Sequence, residues 1–215
     1  MPTQPIVING NTITLVSLPT SPGLRSVEWK FLTTSAVVTS IFTGEQQAQK
    51  WPGGDFWSGT VTLPPLTQDQ ADAWLSALMQ CQGVVNAIQV GDPMKQRPKG
   101  LLLGTPAVDG SVAVTAGTNI LATKGWQVSR SRQLIAGDFI QVGFRLHRVL
   151  DVVNSDANGK ALINVWPSLR EVPPDGQPLV TQSPKGLFRL ANQQNGWSSD
   201  YTRLTALSFQ ISEYR

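Results

Sequence analysis

Val27, Trp29 and Phe31 alternate with Ser26, Glu28 and Lys30, the period-two signature of a half-buried strand. Residues 6–8 and 12–16 flank Asn9-Gly10, a dipeptide suited to the two positive φ values of a type I′ turn, so a hairpin is predicted there. Further strands are expected at 36–42, 58–63, 84–90, 112–115, 126–129, 139–150 and 161–165. Within 139–150, Ile140, Val142, Phe144 and Leu146 alternate cleanly, and Arg148 then occupies the next place on that face. That break beside His147 predicts a bulge, or a strand leaving its sheet. Residues 203–213 close the chain as an apolar strand with Leu207, Phe209 and Ile211 on one face. Such a strand needs a sheet to join, and the first 90 residues offer one.

Only one segment has a convincing helical period. Trp74, Leu78 and Cys81 fall at i, i+4 and i+7, and Ala71 and Leu75 widen the stripe. Thr67 is placed to cap it, with Gln70 three residues on, Asp69 in the positive first turn and Leu66 as a staple. Gly83 is a natural terminator, so the helix is expected over about 67–82 with Cys81 buried in its apolar face. The character of the chain changes at 92–100, which is rich in proline, lysine and arginine. Together with the apolar last strand, this break predicts a discontinuous β-domain, residues 1–95 with 185–215, that hosts an inserted β-module at 101–182.

Composition narrows the functional classes. Charged residues make up only 14% of 215, well below the roughly 25% usual for soluble proteins, so much of the surface is expected to be neutral or covered by partners. One cysteine excludes a disulfide framework and a multi-cysteine metal site within one chain, and one histidine excludes a two-histidine site. No 18-residue apolar run or leader-like segment is present, so neither a membrane span nor secretion is expected. Charge is uneven: residues 1–94 hold three basic and six acidic side chains, whereas 95–148 hold eight and two. The basic stretch interleaves Lys95, Arg97 and Lys99 with Gln96 and Pro98 and not with stacking aromatics, so no specific nucleic-acid binding is expected.

The sequence carries no catalytic motif. Asn154-x-Asp156-x-Asn158-Gly159 resembles the opening of a calcium loop, but Val165 stands where the bidentate glutamate belongs, and a hairpin turn explains it better. His147 has no nucleophile motif to serve, and Arg145 and Arg148 beside it favour a neutral, hydrogen-bonded imidazole. No phosphate loop or dinucleotide fingerprint occurs. The expectation is a protein with no enzymatic activity, no cofactor and no metal. Seven tryptophans against two tyrosines are unusual. Trp51, Phe56 and Trp57 cluster in a glycine-rich stretch and are the candidate subunit-interface residues, or alternatively a small core under a long loop or a sugar-stacking platform.

The order of several segments resembles a known family. They are residues 41–47 (Ile-Phe-Thr-Gly-Glu-Gln-Gln), 54–57 (Gly-Asp-Phe-Trp), and 63–67 (Leu-Pro-Pro-Leu-Thr) entering the Trp/Leu helix. Residues 91–93 with 98–100, 137–143 leading to 146–149, and 204–209 follow. Over most of its length the chain resembles the distal tail proteins of long-tailed bacteriophages. That resemblance implies a mainly β protein with a β-sandwich belt domain, one α-helix and a tail-tube-like fold, carrying a small inserted β-barrel. It also implies a hexameric ring in the virion, made in the host cytoplasm, joining the tail tube protein to tail hub and tip proteins and the tape measure protein. Two alternatives from other classes are a carbohydrate-binding β-module and a nucleic-acid-binding β-barrel.

Overall fold

A computed structural model describes residues 3–8, 10–199, 201 and 204–215. The protein is mainly β with one helix. In chain order the elements begin with β1 (Thr3–Ile8), β2 (Asn11–Val16), β3 (Ser26–Leu32), β4 (Ser35–Thr39), β5 (Gln46–Lys50) and β6 (Phe56–Thr62). Then come α1 (Gln68–Gln80), β7 (Ala87–Val90), β8 (Gly104–Val108), β9 (Ile120–Trp126), β10 (Phe139–Val142) and β11 (Arg145–Val149). The chain ends with β12 (Lys160–Trp166), β13 (Leu179–Val180), β14 (Gly186–Leu190), β15 (Trp197–Ser199) and β16 (Thr205–Glu213).

These elements form two compact units, residues 1–30, 57–96 and 183–215 in the first, and 31–56 with 97–182 in the second. The assignment of 31–56 corrects the sequence expectation, which placed that segment in the host domain.

The first unit is built on one sheet in the order β1-β2-β7-β14-β16-β6-β3, with β15 on the side of β16. The pairs β1-β2, β7-β14, β14-β16, β15-β16 and β16-β6 are antiparallel, and β2-β7 is parallel. The apolar terminal strand β16 lies in the middle, between β14 and β6. Its buried positions alternate, Leu207, Phe209 and Ile211 among them, as the sequence period requires. The helix begins with the capping box expected at Thr67 and Gln70. It buries Ala71, Trp74, Ala77 and Leu78, and Trp74 packs against Phe209 at a ring distance of 6.5 Å. The turn predicted at Asn9-Gly10 lies partly outside the described residues; Gly10 has φ +78°, and β1 pairs with β2 in register.

The second unit holds a six-stranded sheet in the order β13-β10-β11-β12-β9-β8. Its two end strands meet again: Ala107 bridges Pro178, and the Val108 amide donates to the Gln177 carbonyl at 2.9 Å. The sheet is therefore a nearly closed small barrel, filled by Leu121, Leu134, Ile140, Ile163, Val165 and their neighbours. Closure of this kind removes exposed edges.

Several expected strands differ. Residues 139–150 are not one strand but a hairpin, β10 and β11, turning at Gly143-Phe144, where Gly143 takes φ +58°. The even spacing of apolar residues continues through the turn and hides it. Residues 112–115 form no strand, and 84–86 precede β7 as turn. Gln46–Lys50, which has no apolar alternation, is a strand because it pairs residue for residue with β4.

Strands β4 and β5 form an arm, and its base is tied to the barrel. Asp55 is fully buried, with Oδ2 2.6 Å from the Lys50 ammonium and within 3.4 Å of the Ser168 hydroxyl. The Arg170 guanidinium donates to the Gly53 carbonyl at 2.7 Å and the Asp55 carbonyl at 2.6 Å. Phe31 meets Trp166 edge-on at 5.9 Å. Replacing Arg170 with alanine should destabilise this unit by about 2–4 kcal/mol, since hydrogen bonds from a charged donor contribute about 1.5–3 kcal/mol each. Urea unfolding and amide exchange at 53–56 measure it, and an unchanged midpoint with unchanged exchange would show that the arm's base is held otherwise.

Candidate functional site

The three aromatics singled out in the sequence do not form one surface. Trp57 is only 3% exposed, sits in β6 and not in a loop, and packs edge-on against Trp29 at 5.6 Å. Its amide donates to the Glu213 carboxylate at 3.0 Å, so both backbone and ring belong to the interior of the first unit. Phe56 is half-buried, whereas Trp51 is 52% exposed, at the start of the loop that closes the arm. A sugar platform made of all three is therefore not assembled. Only Trp51 is a surface group.

The exposed apolar surface lies further along the arm. Every residue of β4 and β5 is exposed, Val37 and Val38 included. At the tip Ile41 and Phe42 are 90% and 92% exposed. The tip is nevertheless a hydrogen-bonded turn. The Ser40 amide donates to the Glu45 carbonyl at 2.8 Å, and the Gly44 amide returns to Ser40 at 2.9 Å. The Ser40 hydroxyl accepts from the amides of Phe42 and Thr43. Gly44, at φ +71°, closes the turn in a backbone conformation that favours glycine. The sequence does carry a signal for this feature, one that alternation alone does not capture. Val37-Val38 is an adjacent apolar pair, which puts a large side chain on both faces of a strand instead of one, and Ile41-Phe42 is a second such pair in the turn that follows.

The groups that carry chemistry elsewhere are structural here. His147 is 3% exposed on β11, and its Nδ1 lies 2.9 Å from the Pro167 carbonyl oxygen, to which the ring N–H donates. Burial pushes its pKa down to about 4, aided by the Arg145 and Arg170 charges and opposed by the Pro167 hydrogen bond. Cys81 is fully buried, donates its S–H to the Ala77 carbonyl at 3.3 Å, and burial pushes its thiol up to about 11. Both values disfavour acid–base and nucleophilic work near neutrality. Asp138 is buried with its carboxylate accepting the amides of Lys99, Gly100 and Ile135, so it ties the entry segment to the barrel. Asp156 accepts the amides of Asn158 and Lys160 and builds the turn at the calcium-like sequence. No metal-binding group of His, Cys, Asp and Glu is found among the described residues.

Eight of the 17 basic residues bear on the surface of the second unit. Lys50, Lys124, Arg145 and Lys160 are paired with Asp55, Asp175, Glu171 and Asp109 at 2.6–2.7 Å. Lys99, Arg130, Arg132 and Arg148 are in no ion pair with a described carboxylate. Their backbones lie along one part of the barrel: the Leu101 amide donates to the Arg132 carbonyl, and Lys99 and Gly100 are bound by Asp138 beside Gly137, which the Arg148 guanidinium approaches.

The first unit carries a cleft of about 420 Å³ lined by Leu15, Leu18, Pro19, Leu24, Pro93 and Pro184 along with polar groups. No helix among the described residues is long and apolar enough to cross a membrane. Comparison with protein-family models finds no match, and comparison with curated proteins finds none.

The His147 environment makes a pH prediction. Its pKa is about 6.5 unfolded and about 4 folded, so the unfolded chain binds more protons between these values. Its contribution is complete above pH 6.5 and is lost as pH falls toward 4, by roughly 3 kcal/mol at 1.36 kcal/mol per unit. Urea midpoints from pH 7 to pH 4 should fall more steeply for the native chain than for His147→Gln, and parallel curves would refute a buried neutral imidazole.

Proposed function

We propose that this chain is a structural, non-enzymatic virion protein that self-associates into a closed ring at the distal end of a phage tail. In that position it joins the tail tube to the tail tip and hub, beside the tape measure protein. The virion context and the number six come from the sequence resemblance, and self-association has its own support in the arm. A two-stranded hairpin alone in water is marginal, and an ordered one with an uncovered apolar tip is suited to be covered by a partner. The burial of His147 and Cys81 supports a role without turnover.

Sedimentation velocity across a concentration series tests the reading. The full chain should form one discrete oligomer, and Ile41→Ser with Phe42→Ser should leave it monomeric with unchanged thermal stability, because both side chains are already in water. A wild type that stays monomeric at the highest concentration, or forms only a two-fold dimer, would contradict it.

A second reading, binding to nucleic-acid phosphates, draws on Lys99, Arg130, Arg132 and Arg148, which stand outside the ion pairs. Under it, fluorescence anisotropy with a labelled duplex would show an affinity that falls steeply with salt. Reversal of Arg130 and Arg132 to glutamate would then flatten that slope by about one unit for each phosphate no longer neutralised.

A further inference from the structure

Three Asn-Gly pairs occur in the chain, at 9–10, 158–159 and 195–196. An asparagine followed by glycine is prone to ring closure, because no β-carbon shields the glycine amide and the glycine backbone turns freely. Asn9 lies outside the described residues, which leaves two pairs to compare. We infer that Asn195-Gly196 is a site of spontaneous deamidation in the folded protein, and that the fold protects Asn158-Gly159.

The pair at 158–159 is held on both sides. The Asn158 amide donates to Asp156 Oδ1 at 2.8 Å, and the Gly159 amide to the Asp156 carbonyl at 3.2 Å. The Gly159 carbonyl in turn accepts the Trp126 amide at 3.0 Å. Gly159 has φ +69°, and a β-carbon there would lie 2.5 Å from the Trp126 carbonyl oxygen. The attacking nitrogen is thus engaged, and its peptide has no room to rotate unless the turn into β12 opens.

The pair at 195–196 has none of these restraints. Both residues are exposed, in the loop that enters β15. The Gly196 amide donates to no acceptor among the described residues. A β-carbon on Gly196 would meet nothing within 4 Å, so the peptide has room to turn. The Asn195 side chain donates from Nδ2 to the Asn192 carbonyl at 3.1 Å, a bond that leaves its Cγ open to attack.

The chemistry needs only water and hydroxide. Hydroxide removes the Gly196 amide proton, and the nitrogen attacks Asn195 Cγ. The adduct expels Nδ2, which takes a proton from water and leaves as ammonia, and a succinimide ring remains. Water then opens the ring at either carbonyl, giving aspartate or isoaspartate; nothing is oxidised or reduced. The product adds a negative charge to a chain whose formal net charge is +3. That charge arises beside Leu75, Leu78, Met79 and Trp197, which line a cavity of about 160 Å³ together with Asn195. In the isoaspartate form the main chain is also one carbon longer just before β15.

Peptide mapping by mass spectrometry of the full chain, incubated folded and in urea, tests this. In the folded chain, acid should accumulate at 195 as mixed aspartate and isoaspartate. Its rate should exceed that at 158 by at least about tenfold, because the turn at 158 must first open. In urea the two sites should convert at similar rates. Raising the pH should speed conversion at 195, since the attacking nitrogen must lose its proton. Gly196→Ala, at a position with open space and no left-handed φ, should keep the fold and slow the reaction, because the methyl group hinders closure. Equal rates at 195 and 158 in the folded chain would overturn the inference. So would an Asn195 that stays an amide in the folded chain yet converts in urea. An unchanged rate in Gly196→Ala would overturn it too, by excluding the ring.

Discussion

The central position of β16 is the constraint on which the first unit depends. The strand buries Leu207, Phe209 and Ile211 on one face, and its hydrogen bonds are taken up by β6 on one side and β14 on the other, so it is no edge. Residues from the first, middle and last parts of the chain must therefore come together before the sheet's middle exists. The capped helix covers part of that sheet, with Trp74 against Phe209. Residues 97–182 are left to fold around a core of their own, and they do so by bringing β8 and β13 together. The host sheet is thus built largely from non-local pairing, which is costly in loop entropy and slow to form.

The arm follows a different logic. Its base is specified tightly, by a buried carboxylate, a lysine and an arginine that holds two carbonyls. Its outer strands bury nothing at all. The chain thus fixes the root of a ribbon and leaves its apolar tip in water.

Much of this fold is legible in the sequence because local signals agree with the tertiary result. Thr67 and Gln70 mark the start of the helix, which ends at Gln80 with Cys81 as its cap and so short of the Gly83 stop, and the alternation in β16 marks a strand with one buried face. Where sequence and structure part, the causes are physical. The apolar period of 139–150 runs through Gly143-Phe144, so a tight hairpin looks like one long strand. Gln46–Lys50 carries no pattern because it buries no face, and only pairing with β4 makes it a strand. Residues 31–56 are contiguous with the host in sequence, yet Asp55 and Arg170 assign them to the barrel unit. The Gly53-Gly54 pair signals a loop, but β6 begins two residues later and carries Trp57 inward. Composition can count tryptophans, but the side of the strand on which each falls depends on where that strand begins.

Direct imaging of the assembled protein bears most closely on the central claim. Two-dimensional class averages of the purified full chain, at concentrations where it associates, should show closed rings of a single stoichiometry. Isolated monomers, two-fold dimers or open filaments of variable length would contradict a ring-forming structural role.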